Sequence, residues 1–130
     1  MADDLTVTPD SENGVVVLKI DYSADFLGVR DAKSKLKEEF IKAYKAEMKA
    51  STGLKTKSCI VNLEMVTVAG SSVARALFEL WKIVNYEYEG TLYVAAYPQD
   101  YQPSLTALGV TTLKRFELVL DEAEALKEVL

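Results

Sequence analysis

The sequence predicts a single α/β domain over residues 1–130, with a mixed, mostly parallel central sheet, an N-terminal antiparallel hairpin and helices chiefly on one side. One observation behind this prediction is the short, nearly continuous apolar run from Ser58 to Leu63, which is typical of a strand covered on both faces. The other is that amphipathic helical patterns precede and follow this run. Parallel strands joined by right-handed helical crossovers are the simplest topology for that order of elements.

The N-terminal segments predict two strands and a helix. Leu5 to Thr8 alternates apolar and polar residues, and Val15 to Ile20 reads as the strand that returns after a tight turn at Asn13-Gly14. From Asp31 to Lys49 apolar residues recur at steps of three and four, which predicts a helix with one buried face. Its other face is rich in lysine: Arg30 to Lys57 carries nine basic and four acidic residues, a net charge of +5 in a chain of net charge −5.

The residue inventory argues against most catalytic chemistry. The chain has no histidine and a single cysteine, Cys59, which lies in an apolar run. Histidine is the usual general base near neutral pH and the commonest metal ligand, so we expect no enzyme activity, no metal site and no cofactor. Glu64, Glu79, Glu87 and Glu89 are the carboxylates considered for a catalytic pair, but solvation explains them better.

Hydropathy and charge predict a soluble, cytoplasmic protein. The chain has no apolar run approaching the roughly 18 to 20 residues that span a bilayer, and no charged-then-apolar leader, so we expect no membrane partner. A net charge of −5 argues against direct binding to nucleic acid. The basic first helix is interpreted as a solvated face rather than a docking surface. A small-ligand pocket would leave no motif, and that possibility stays open.

A turn of small residues, Gly70-Ser71-Ser72, joins the central strand to an amphipathic helix. The helix places a stripe of apolar residues on one face: Val73, Leu77, Leu80, Trp81 and Val84. In a structural interpretation, Ser71 is the N-cap of this helix and Gly70 supplies backbone freedom. In a functional interpretation, the exposed amides and the positive end of the helix dipole would stabilise a phosphate group on serine. The residues alone leave both interpretations open.

The run Ile60-Val-Asn-Leu-Glu-Met-Val-Thr-Val-Ala-Gly-Ser-Ser72, followed by an apolar helix, resembles the central motif of STAS domains, especially those of bacterial anti-sigma factor antagonists. In that family the strand leads to an Asp-Ser-Ser/Thr-Gly-Leu turn, and the serine after the aspartate is phosphorylated by a partner kinase that is itself the anti-sigma factor. Ser71 matches that serine, and Ser72 matches the next residue. Gly70 replaces the aspartate and Val73 the glycine, which predicts weaker kinase recognition or altered hydrogen bonding at the turn.

The resemblance extends nearly to both termini. Later segments match the family's remaining elements in order: a strand at Gly90 to Ala96, a short helix at Leu105 to Gly109, the last strand at Phe116 to Val119 and the final helix at Asp121 to Leu126. Independently of any family, Asp121 and Glu124 have the spacing of a capping box. The spacing of the apolar residues predicts that the buried stripe of this last helix comprises Ala123, Leu126 and Leu130.

The resemblance implies a non-enzymatic regulatory protein in bacterial signal transduction that controls transcription. It would bind a serine kinase that is also the anti-sigma factor until Ser71, or alternatively Ser72, is phosphorylated, and a phosphoserine phosphatase would reverse the change. The implied docking surface comprises Gly70, Ser71, Ser72, Val73 and Arg75. Arg75 either pairs with Glu79, four residues on, or contacts the phosphate or the partner.

Two alternatives within the same family stay open. One is a stressosome-type STAS scaffold subunit that forms homo- or hetero-oligomers with other STAS proteins. The other is a small-ligand-sensing STAS module.

Overall fold

The computed structural model describes residues 5–11, 13–28, 30–50 and 53–129. In this part of the chain, five strands form one sheet in chain order: β1 (Leu5–Pro9), β2 (Val16–Tyr22), β3 (Cys59–Asn62), β4 (Leu92–Ala95) and β5 (Phe116–Val119). β1 pairs antiparallel with β2, and every other pairing is parallel. The predicted mixed sheet with an antiparallel N-terminal hairpin is therefore confirmed.

Four α-helices accompany the sheet: α1 (Ala32–Ala50), α2 (Ser71–Lys82), α3 (Gln102–Leu108) and α4 (Glu122–Val129). Shorter helical turns lie between them: 3-10 turns at Ala24–Gly28, Gln99–Tyr101 and Val110–Thr112, and a π turn at Ile83–Glu87. α1, α2 and α3 follow β2, β3 and β4 and share the larger apolar core, while α4 packs on the other face against β3, β4 and β5. Helices thus lie chiefly on one side, as predicted.

β3 is buried on both faces, as its apolar run predicts. Cys59 and Val61 point into the larger core, and Ile60 points into the smaller core beneath α4. Burial raises the pKa of the Cys59 thiol well above its ordinary value. Cys59 is therefore a packed, protonated side chain rather than a reactive thiolate.

The N-terminal hairpin turns at the predicted pair, Asn13-Gly14. Asn13 has φ 53° and Gly14 has φ 80°. The register, with Pro9 opposite Leu18, is centred on this pair, and the Asp10 amide donates to the Val17 carbonyl at 2.8 Å, so the structure agrees with the predicted turn. The Gly14 carbonyl also accepts a hydrogen bond from the Lys55 amide at 2.8 Å, which ties the turn to the segment that precedes β3.

α4 presents a different face to the sheet from the one predicted. Ala125 is fully buried, Leu126 and Val129 are partly buried, and Ala123 is exposed; Leu130 lies outside the described residues. The predicted stripe is therefore wrong for Ala123, whereas Leu126 packs against the smaller core as predicted. The Asn62 side-chain amide donates to the Glu122 carboxylate at 2.9 Å, and this contact in the first turn directs the Glu122 and Ala125 face of α4 toward β3.

The predicted capping pair does form at the start of α4. The Glu124 amide donates to the Asp121 carboxylate at 2.8 Å. The Glu124 carboxylate in turn accepts from the Leu120 amide at 3.2 Å, one residue before the usual partner in a capping box.

Candidate functional site

The loop between β3 and α2 positions the turn that the sequence singles out. The Leu63 amide donates to the Ala95 carbonyl at 2.9 Å, and the Tyr22 hydroxyl donates to the Val68 carbonyl at 2.6 Å. Val66 and Ala69 are buried beneath the loop. These contacts hold the start of α2 at the carboxyl edge of the parallel strands, the edge where open α/β sheets bind their ligands.

The anchoring role of Tyr22 is not apparent from the sequence. The Tyr22 ring is buried against Phe26, with the ring centroids 5.8 Å apart. Burial raises the pKa of its hydroxyl, so that group stays protonated and donates to Val68. The sequence gives little indication of this role, because a tyrosine at the end of a strand is equally compatible with an exposed hydroxyl.

Gly70, not Ser71, is the N-cap of α2. Gly70 has extended backbone angles, φ −145° and ψ −160°, and no side chain caps this helix. The Ala74 amide donates to the Gly70 carbonyl at 3.1 Å, and Ser71 is the first helical residue. The prediction that the Ser71 hydroxyl caps the helix is therefore wrong, because the cap position falls one residue earlier, on a residue without a side chain.

The predicted docking residues differ in their exposure. Ser71 and Arg75 are exposed, while Gly70 and Ser72 are half-buried. Val73 is 0% exposed and packs in the larger core, so its side chain is not available to a partner. The accessible part of this set is thus a short surface at the first turn of α2, with Ser71 its most accessible hydroxyl.

Arg75 does not form the predicted ion pair with Glu79. The Glu79 carboxylate pairs with Lys82 at 3.0 Å on one oxygen and approaches Lys37 of α1 at 4.0 Å on the other. Within the part of the chain that the structure describes, Arg75 has no ion-pair partner. Lys82, three residues after Glu79 on the same helix, and Lys37 of α1 thus occupy the two carboxylate oxygens, and intrahelical spacing reveals only the first of these partners. Arg75 therefore points a guanidinium into solvent one turn after Ser71.

A groove of about 350 Å³ runs between α1 and α2 from this point. Its lining residues come from the first two turns of α1 and from the middle of α2: Lys33, Ser34, Lys37, Arg75, Ala76, Phe78 and Glu79. The sequence predicts a solvated basic face for α1 and does not indicate that α2 lies beside it. No periodicity within one helix indicates which neighbour lies beside it.

The carboxylates considered for catalysis are exposed or paired with lysine. Glu79 and Glu87 form ion pairs with lysines, the latter with Lys45 at 3.4 Å, and Glu64 and Glu89 are exposed. No group of His, Cys, Asp or Glu that could hold a metal ion occurs among the described residues. Likewise, none of the described helices combines the length and apolar character needed to cross a membrane.

The strand order and the strand–turn–helix junction define a single α/β domain with a mixed five-stranded sheet. The structure is similar to a solved anti-sigma-factor antagonist (STAS) domain protein from Planctomyces limnophilus, with a TM-score of 0.69 over 94% of this chain and 96% of that chain. The two sequences are 18% identical, and at this level the likeness shows a shared fold alone. Neither the protein-family models nor the curated proteins gave a match to this sequence.

Proposed function

We propose that this protein is a phosphorylation-switched, non-enzymatic binding module that acts as an anti-sigma-factor antagonist. The observation that carries the proposal is the exposed Ser71 in the first turn of α2, at the carboxyl edge of a STAS-type sheet. No side chain caps this turn, so its free amides and the positive end of the helix dipole face the position of a phosphate on Ser71.

In the unmodified state, the protein would bind a serine kinase that is also the anti-sigma factor. The contact surface would comprise Gly70, Ser71, Ser72 and Arg75, with Val73 holding the turn on the core. ATP would belong to the kinase, and this chain would be its substrate and its ligand.

Phosphorylation would end this binding through charge and bulk. A phosphate on Ser71 adds about −1.5 to −2 charges at neutral pH. The free amides of α2 and the Arg75 guanidinium, four residues on, are positioned to stabilise that charge within the protein. Arg75 would then be withdrawn from the partner, and a phosphoserine phosphatase would restore the binding state.

Mass spectrometry of the protein isolated from its native cells tests this proposal. We expect one phosphate, on the peptide that contains Ser71, and its loss after phosphatase treatment. Ser71→Ala should remove the modification, whereas Ser72→Ala, the matched control at the half-buried neighbour, should retain it. Absence of phosphate throughout growth and stress, or a phosphate only on another residue, would contradict the proposal.

A Ser71→Asp variant tests the consequence for binding. It should lose the kinase that co-purifies with the parent protein, while Ser71→Ala should keep it. If Ser71→Asp retains every partner of the parent at equal affinity, a switch at this residue is excluded.

A further inference from the structure

The groove between α1 and α2 has the chemistry of a binding site in its own right. Both helices connect successive parallel strands and therefore run in the same direction. The Lys37–Glu79 and Lys45–Glu87 contacts, at 4.0 and 3.4 Å, align them side by side. The N-terminal ends of both helices consequently meet at the same end of the groove, and their dipoles add there.

The rim of the groove has an excess of positive charge. Lys33, Lys37 and Arg75 line it, and Glu79 is the one carboxylate among its described lining residues. Both Glu79 oxygens already face lysines, whereas neither Lys33 nor Arg75 forms an ion pair with any described residue. Neither helix carries an acidic residue in its first turn, although Asp31 lies just before α1.

The groove also has an apolar component. Phe78 lines it together with the buried Ala76, and the Phe78 ring stacks on Trp81 with the ring centroids 5.7 Å apart. The Trp81 indole N–H donates to the Lys114 carbonyl at 2.9 Å, so the stack is anchored from below. A fixed aromatic surface beside several cations suits a ligand that combines carboxylates with apolar side chains.

We infer that this groove binds an acidic, partly apolar peptide segment of a partner protein. The cations are spread over two helices and remain exposed to water, and a single exposed ion pair contributes little. A small anion would meet too few of them, whereas an extended acidic segment would meet all three. A nucleic acid would meet the same cations but would be repelled by the rest of a chain of net charge −5.

This inference goes beyond the proposed function. The groove shares Arg75 with the proposed docking surface, but its three cations and its aromatic surface are present in the unphosphorylated protein, which is the form used in the test.

Fluorescence anisotropy with a short labelled peptide of alternating glutamate and leucine provides the test. We expect binding at low salt that weakens as salt is added, and no binding of the same peptide with glutamine in place of glutamate. The double variant Lys33→Gln/Arg75→Gln should bind about fivefold more weakly, the effect expected of two exposed ion pairs. The matched control is Lys42→Gln, which removes an exposed lysine of α1 outside the groove and should leave binding unchanged.

Several outcomes would overturn the inference. They are no binding at low salt, equal binding of the glutamine peptide, equal binding by the double variant, and tighter binding of a single-stranded oligonucleotide of the same charge. Ser71→Ala should leave peptide binding unchanged while removing phosphorylation. Failure of the groove and failure of the switch are therefore distinguishable.

Discussion

At the start of α2, Gly70 takes the cap position and Ser71 becomes the first helical residue. This arrangement frees the Ser71 hydroxyl from a capping role and leaves it exposed. The glycine is not required by the backbone, since φ −145° suits any residue and a Cβ at this position would meet no atom within 4 Å. The position therefore has room for the Cβ of another residue, such as the aspartate that the STAS motif carries there.

We expect Gly70→Asp to stabilise the protein by about 0.5 kcal/mol, because aspartate accepts hydrogen bonds from first-turn amides and its charge suits the dipole. Thermal unfolding should show a rise in Tm of roughly 2 °C. Gly70→Ala is the control and should lower Tm, because alanine is a poor N-cap. An aspartate variant that melts no higher than the alanine variant would show that the first-turn amides do not use a cap.

At the scale of elements, the junction that ends α2 matters as much as the one that begins it. α2 continues into the π turn Ile83–Glu87, and the Gly90 amide then donates to the Val84 carbonyl at 2.8 Å. This closure brings Gly90 against the backbone of Lys57, just before β3. The same Lys57 carbonyl accepts a hydrogen bond from the Tyr44 hydroxyl of α1 at 2.5 Å. One carbonyl thus connects α1, the start of β3 and the end of the α2 extension.

Gly90→Ala should destabilise the protein by about 1–3 kcal/mol, as overpacking of an immobile neighbour does. A Cβ at Gly90 would lie 2.6 Å from the Lys57 carbonyl oxygen, which cannot move without breaking the Tyr44 contact. Gly28→Ala is the matched control, because a Cβ there meets no atom within 4 Å. Urea unfolding should separate the two variants clearly, and equal stabilities would contradict the close approach.

At the scale of the whole molecule, charge is divided between the two faces of the sheet. The α1–α2 side carries the cationic groove. The α4 side has a cleft of about 300 Å³ whose lining includes Glu117, Glu124 and Glu128. Burial, together with Glu128 and Glu117, raises the pKa of Tyr93 in this cleft. An acidic segment is therefore expected to distinguish the two sides, because only the first attracts it.

The buried ionisable groups predict how stability depends on pH. Burial raises the pKa of Cys59 and of Tyr22 and Tyr44 above their ordinary values of 9.0 and 10.0. Because the folded-state pKa is raised, the unfolded chain loses protons first. The contribution of these protonated groups to the free energy of unfolding is fully present below about pH 9 and is lost as the pH rises.

From pH 8 to pH 10, Cys59 alone should lower the free energy of unfolding by about 1.4 kcal/mol. Urea denaturation at the two pH values measures this loss. Cys59→Ala should be less stable than the parent at both pH 8 and pH 10. Between these two pH values its free energy of unfolding should fall only by the smaller amount that the buried tyrosines cause. An equal pH dependence in the parent and in Cys59→Ala would show that the thiol is not protected by burial.

Local patterns were sufficient for most of the fold. The apolar run of β3, the three-and-four spacing of α1 and α2 and the positive φ angles at Asn13-Gly14 each depend on neighbouring residues, and the structure agrees with them. The order of these elements then restricts the topology, because parallel strands joined by helices need right-handed crossovers. Local sequence also predicts the candidate site at the turn that contains Ser71.

What the sequence by itself determined was therefore the type and order of the elements and the stretch that carries the candidate site. Tertiary structure alone decided the cap at Gly70, the pairing of Glu79 with Lys37, the buried face of α4 and the groove between α1 and α2. Each of these depends on a one-residue shift at a helix end or on contacts between residues far apart in the chain. A periodic pattern specifies the faces of a helix, but only packing against a neighbour selects the partner of each side chain.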